Sequence, residues 1–315
     1  MPSQMMTQAL SGPIAGKRRV AHLIADAVYR RLTGFDGYFD SLIAYVAESG
    51  PTIRPVTRLA VMDADGGNQR YLTDGRDLVL FPRVSADLRD IAYLSISEGG
   101  RTKIVLYHLA TQQTEGLDEF SGITSAPSFS PDGTKLAVSL SKEGNSNIYE
   151  IDLRSRQARR LTEGEWFDTA PSYSPDGASL VFSTNRSGTE QLYIMSADGS
   201  KPRRISFGYG SYGAPAWSPV GNRIAFSKLG KDRAYIGFMS VDGTGEKLLA
   251  EGNEIGAPSW APNGEVIVYE WRNANARAGS GVSAKLICVD AGRHGEVQIP
   301  TSEAAAEPSW SSLLR

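Results

Sequence analysis

Three observations predict an all-β protein, a six-bladed β-propeller of four-stranded antiparallel blades. First, a proline-led signature recurs six times in 315 residues. Four copies are clear: Pro127-Ser-Phe-Ser-Pro-Asp-Gly133, Pro171-Ser-Tyr-Ser-Pro-Asp-Gly177, Pro215-Ala-Trp-Ser-Pro-Val-Gly221 and Pro258-Ser-Trp-Ala-Pro-Asn-Gly264. A worn copy starts at Pro82 and a cut-off copy, Pro308-Ser-Trp-Ser311, ends the series; successive first prolines lie 45, 44, 44, 43 and 50 residues apart. That period belongs to four-stranded units stacked radially. Second, each signature is followed by short runs rich in Val, Ile, Tyr and Phe, separated by Asp-Gly and Asn-Gly turns, the pattern of hairpin-linked strands. Third, the ends complement each other. Runs at 42–46, 58–63 and 69–73 form three strands without an innermost one, and 308–311 is an innermost strand without its blade. Pairing them closes the ring over 42–315 and removes the open edges that invite aggregation.

Taken in order, residues 1–41 fall outside the ring and are read as the remnant of an N-terminal α/β domain. Within them, Lys17 to about Thr33 carries Val20, Leu23, Ile24, Ala27, Val28 and Leu32 on one stripe, predicting an amphipathic helix with Gly34 as its C-terminal cap. An apolar helix face needs a partner, either the propeller or the rest of that domain. The second strand of each later blade is read at 90–96, 135–140, 179–184, 223–228 and 265–271, the third at 104–109, 148–153, 192–196, 235–240 and 286–290. A weaker fourth strand follows, as at 158–162 and 202–206.

The signature itself reads as scaffold. Proline fixes φ, Asp bonds the turn backbone and Gly takes the positive φ, and a catalytic site would not be repeated around the ring. The aromatic in each copy (Phe129, Tyr173, Trp217, Trp260, Trp310) is predicted to fill the space between blades.

Composition excludes several classes. Lys and Arg number 33 against 35 Asp and Glu, which argues against a nucleic-acid binder. No apolar run approaches the roughly 18–20 residues of a membrane-spanning helix, and residues 1–16 show no charged region followed by an apolar stretch. The single cysteine, Cys288, lies in the alternating run 285–290 and reads as a strand residue rather than a reactive thiol. The three histidines, His22, His108 and His294, sit on different elements and in no nucleophile or zinc motif. The expectation is a non-enzymatic, monomeric protein without a cofactor. The rival reading, a propeller hydrolase or lyase or its gating module, lacks both a hydrolase domain and channel-facing histidines.

The segments that lead into each innermost strand, at 74–81, 118–126, 162–170, 206–214, 250–257 and 301–307, should ring the channel mouth on one face. They carry Asp74, Asp77, Asp118, Glu119, Glu163, Glu165, Asp168, Glu251, Glu254, Glu303 and Glu307, with Arg76 as the lone base. Phe81, Phe120, Trp166, Phe167, Phe207, Tyr209 and Tyr212 gather there too, while Arg101, Lys103, Lys142, Lys228, Lys231, Arg233, Arg272 and Arg277 fall further out. An acidic, aromatic centre within a basic rim is the composition of a protein interface. Such a mouth is also a place where a cation such as calcium would sit.

The junction Ala21-His-Leu-Ile-Ala-Asp-Ala-Val-Tyr29, Leu32-Thr-Gly34, Gly37-Tyr-Phe-Asp40 and Ile43-Ala-Tyr-Val46 resembles the TolB family, as do Met62-Asp-Ala-Asp-Gly66, Arg70-Tyr-Leu-Thr73 and each Ser-Pro-Asp-Gly blade. The resemblance spans essentially the whole sequence, and only the last helix of the family's N-terminal domain has a counterpart here. It implies a periplasmic, non-enzymatic adaptor of the Tol–Pal system of Gram-negative bacteria. Such an adaptor binds the peptidoglycan-associated lipoprotein Pal on the propeller face, supports envelope integrity and cell division, and contacts TolA through an N-terminal segment. By position, the resemblance places Pal contacts at Ile123, Ala126 and Thr169, with isoleucine at 123 where the family has histidine. Together with the residue reading, the expected partner-binding set is Ile123, Ala126, Trp166, Phe167, Asp168, Thr169, Tyr209, Tyr212 and Glu254.

Overall fold

The computed structural model describes residues 16–50, 55–117, 122, 125–142, 144–273, 284–292 and 295–314. Six four-stranded antiparallel sheets form the ring. Helix α1 (Lys17–Thr33) precedes β1 (Ser41–Ser49), β2 (Val56–Asp63) and β3 (Arg70–Tyr71) of blade 1. Blade 2 comprises β4 (Leu78–Val84), β5 (Asp90–Ile96), β6 (Thr102–His108) and β7 (Gln113–Leu117). Blade 3 comprises β8 (Ser128–Phe129), β9 (Lys135–Lys142), β10 (Asn145–Asp152) and β11 (Ala158–Arg160). Blade 4 is β12 (Asp168–Tyr173), β13 (Ser179–Ser187), β14 (Thr189–Ser196) and β15 (Arg203–Arg204). Blade 5 is β16 (Ser211–Trp217), β17 (Arg223–Leu229), β18 (Ala234–Ser240) and β19 (Lys247–Gly252). Blade 6 is β20 (Glu254–Trp260), β21 (Val266–Arg272), β22 (Ala284–Asp290) and β23 (Glu296–Gln298). The last strand, β24 (Ala304–Leu313), returns to pair with β1, matching Ile43 to Trp310 and Ala47 to Ala305. The expected closure is therefore present.

The core is itself a ring. Ile43, Tyr45 and Met62 of blade 1 pack with Val266, Val268 and Leu286 of blade 6. On the other side of blade 1, Val46 and Leu59 pack with Ile91 and Tyr93 of blade 2. Equivalent clusters fill the remaining blade interfaces. The signature aromatics lie in these seams as expected, Tyr173 against Ala137 and Ile148 of the preceding blade and Trp260 against Ala225 and Ile236.

The signature turns also form as the residue types require. The Thr134 and Ala178 N–H groups donate to Asp132 and Asp176 at 3.1 and 3.0 Å, and Gly133 and Gly177 take φ of 70° and 71°. A further role was not legible from turn chemistry. The first serine of the signature is a staple between blades: Tyr173 N–H donates to Ser128 Oγ, Trp217 N–H to Ser172 Oγ, Trp310 N–H to Ser259 Oγ and Val84 N–H to Ser309 Oγ, at 2.9–3.2 Å.

Five of the six segments read as loops into the innermost strands are strand over their last few residues. They carry a bulge: register shifts fall at 80–83, 169–172, 213–216 and 256–259, and Phe81, Ala170, Ala214, Ala257 and Glu307 take φ between 45° and 53°. One extra left-handed residue before five of the six signature prolines bends the inner strand at the channel mouth.

Helix α1 docks on the ring by its polar side. Arg18 bonds Asp63 and Asp65, Arg19 bonds Asp40, and the Phe39 and Asp40 N–H groups donate to the Asp26 carboxylate. Buried His22 meets Asp65, while Leu23, Ile24, Val28 and Leu32 of the apolar stripe stay exposed. Gly34 caps the helix in the left-handed conformation, its N–H on the Arg30 carbonyl. No helix among the described residues is long and apolar enough to cross a membrane.

Candidate protein-binding face

Because each innermost strand is reached from the outermost strand of the blade before it, the connections β3–β4, β11–β12, β15–β16, β19–β20 and β23–β24 share one face. Helix α1 contacts the β2–β3 turn and the end of β24, on the opposite face. The channel mouth is therefore clear of the helix.

At this mouth the connections into β12 and β16 hold four exposed aromatics: Trp166 (42% exposed), Phe167 (51%), Phe207 (70%) and Tyr209 (77%). They are exposed yet fixed. Phe167 N–H donates to Asn185 Oδ1 at 2.9 Å, and the Trp166 carbonyl accepts Ser146 N–H from blade 3 at 3.2 Å. Gly164, at φ 119°, lies directly beneath the Trp166 indole, where a Cβ would come within 2.6 Å of Nε1. Gln191 anchors the second connection through the Gly210 carbonyl, and the Arg204 guanidinium lies 5.2 Å from the Phe207 ring centroid. Rigid aromatics standing in water present apolar area without an ordering cost on binding.

The charged groups behave differently from the sequence expectation. Asp168 is fully buried and accepts Arg186 Nη2 at 3.0 Å on both carboxylate oxygens. Tyr212 is also buried; its hydroxyl donates to Glu246, which in turn pairs with Lys228 at 2.6 Å. These two residues of the expected set thus support the face from below. Glu307 is tucked behind the mouth, its carboxylate accepting Phe81 N–H, and burial pushes its pKa up to about 7. Asp74 pairs with Arg76, and Arg272 is held between Glu48 and Glu270. The exposed acids that remain are Glu163, Glu165, Glu251 and Glu254. Asp168 of the expected centre and Lys228 and Arg272 of the expected rim are thus paired with neighbours that the one-dimensional reading could not connect.

Of the other expected contacts, Ala126 lies buried on the channel wall and Thr169 is half-buried beside Asp168. Ile123, Asp118, Glu119, Phe120 and Arg277 lie outside the described residues, as does His294. Arg83, Asn185, Arg186 and Gln191 escaped the sequence reading. Arg83 had left a signal, for it stands where four other signature copies have serine.

Among the described residues, no group of ligands at the mouth gathers into a cation site. Among the described residues, the one group of three His, Cys or carboxylate ligands within reach of one another is His22, Asp63 and Asp65, on the helix side. There the Arg18 guanidinium already bridges both carboxylates. Cys288 is enclosed in the blade 6 seam, where burial pushes its thiol up to about 12 and keeps it protonated.

The fold is a closed six-bladed propeller with a group of exposed aromatics beside its channel. Residues 29–314 match the TolB beta propeller domain, and the chain belongs to that family. It is 49% identical over 122 residues to the Tol-Pal system protein TolB of Rickettsia bellii, a match covering 39% of this chain and 28% of that relative. Its fold superposes on the crystal structure of TolB from Acinetobacter baumannii with a TM-score of 0.85 and 29% identity, over 96% of this chain and 74% of that one. An oligogalacturonate lyase from Vibrio parahaemolyticus shares the fold alone, at 14% identity, a TM-score of 0.55 and coverage of 78% and 71%.

Proposed function

We propose that this propeller is the protein-binding module of a periplasmic, non-enzymatic Tol–Pal adaptor and that it docks Pal on the channel-mouth face, supporting envelope integrity and cell division. The observation that carries this reading is the exposed aromatic group Trp166, Phe167, Phe207 and Tyr209, with exposed Glu163, Glu165 and Glu254 on connections of the same face. Large rigid aromatics with a polar surround are the usual anchors of an interface. Any contact with TolA belongs to residues outside this ring. A catalytic reading finds little support, since His22 and His108 are each held by carboxylates away from the mouth, His22 by Asp65 and His108 by Asp90.

The test is calorimetric titration with a soluble Pal domain. Trp166→Ala should weaken binding by about 2 kcal/mol or more, the loss expected for a central aromatic anchor. Tyr209→Ala should follow in the same direction. If the native chain gives no binding heat and retains no Pal in a pull-down, the proposal fails.

A further inference from the structure

The axial channel, about 840 Å³, is walled by the innermost strands. At one level the six blades contribute Arg83, Ser128, Ser172, Ala216, Ser259 and Ser309, equivalent positions just after each first signature proline. The four serine hydroxyls have a shared geometry. Each oxygen already accepts a backbone N–H from the next blade, which engages one of its two lone pairs. None of the four donates its own proton to another group among the described residues. Each is left as an O–H donor facing the channel.

Arg83 completes this set. It is half-buried on the channel wall, and its partial removal from water lowers its pKa from the ordinary value. Among the described residues its one hydrogen bond is to the adjacent Pro82 carbonyl at 2.7 Å, and no carboxylate lies within ion-pairing distance. Glu307, the acid whose charge acts on Arg83, accepts Phe81 N–H and has its own pKa pushed up to about 7 by burial. A guanidinium carries five donors and no acceptor, and a desolvated cation without a counterion is costly. Four hydroxyl donors and one fixed cation around a shared axis make a receptor for negative charge.

We propose that the channel binds a small oxyanion group, a carboxylate or phosphate, with Arg83 as counterion and the hydroxyls of Ser128, Ser172, Ser259 and Ser309 as supporting donors. This site is separate from the aromatic face and stands whether or not that face binds Pal. It also inverts the expectation of a channel that attracts cations.

The experiment is calorimetric titration of the full chain with inorganic phosphate, and separately with a short peptide bearing a free C-terminal carboxylate and with its C-terminal amide, at constant ionic strength. The variant Arg83→Ser installs the residue that four other blades use at this position, so the ring should fold. Saturable binding of phosphate, of the free-acid peptide over its amide, or of both is expected. Phosphate binding assigns a free anion, and acid-selective peptide binding assigns a chain-borne carboxylate. Arg83→Ser should weaken binding by about tenfold or more, as expected for hydrogen bonds to a charged group. Ala216→Ser, adding a fifth hydroxyl, should strengthen it. Absence of saturable binding in all three titrations overturns the proposal, and so does equal affinity in native and Arg83→Ser chains of matched thermal stability.

Discussion

Asp168 and Arg186 offer a decisive check on how the binding face is built. Asp168 sits at the first position of β12, directly after Trp166 and Phe167, and its side chain is 1% exposed against 18% for Arg186. Arg186 also lies 5.4 and 5.2 Å from the ring centroids of Phe182 and Tyr193 and donates to Thr184 Oγ1. Arg186→Ala strands a buried carboxylate, for which about 3–5 kcal/mol is the usual cost. Asp168→Ala should cost less, about 1–2 kcal/mol, because the guanidinium keeps both rings, a hydroxyl and some access to water. In the double variant the stranded charge is gone, so its cost should fall short of the two single costs together by about 2 kcal/mol. Equilibrium denaturant unfolding of the four chains measures the cycle. Additive single costs, or Asp168→Ala costing more than Arg186→Ala, would refute the argument. The isosteric Asp168→Asn should leave Pal affinity within a few-fold; a large loss of affinity at unchanged stability would mean that Asp168 meets the partner directly.

Two further predictions follow from the same geometry. Gly164→Ala should reduce Pal binding without altering a contact residue, because a Cβ at φ 119° would meet the Trp166 indole; unchanged affinity would show that the indole's position is unimportant. Glu307 has a folded pKa raised from 4.5 to about 7. The folded state therefore holds this proton more tightly than the unfolded one, and its stabilising contribution, complete below about pH 4.5, is lost as pH rises through 7. Glu307→Gln should flatten that slope in unfolding titrations and be the more stable protein at pH 8, by at most about 3 kcal/mol; an unchanged pH slope would falsify the assignment.

Much of the candidate face was legible in the sequence because strand connections follow from the repeat. Once the blades were phased on their prolines, Trp166, Phe167, Phe207 and Tyr209 had to lie at one end of the ring. Their exposure, and the burial of Asp168 and Tyr212, were not legible. Asp168 meets Arg186 across the β12–β13 pair, and Tyr212 meets Glu246 at the far side of blade 5. Such pairings depend on side-chain reach between strands, which residue spacing does not encode. Helix α1 shows the same limit: its 3.6-residue stripe was real, yet ion pairs from Arg18 and Arg19 and backbone N–H groups donated to Asp26 chose the opposite side for docking.

By itself the sequence determined what is local or periodic: six blades, the turn chemistry of Ser-Pro-Asp-Gly, the seam aromatics and the closure of β24 on β1. These follow from backbone preferences and from a repeat that leaves one strand missing and one spare. Only the tertiary structure decided which charges are neutralised, which helix face is turned to solvent, and that Arg83 stands among channel-facing hydroxyls without a carboxylate partner among the described residues. Those outcomes arise where residues some 45 positions apart are brought to one radius of a ring, and there burial and partner geometry, rather than residue type, fix what each side chain can do.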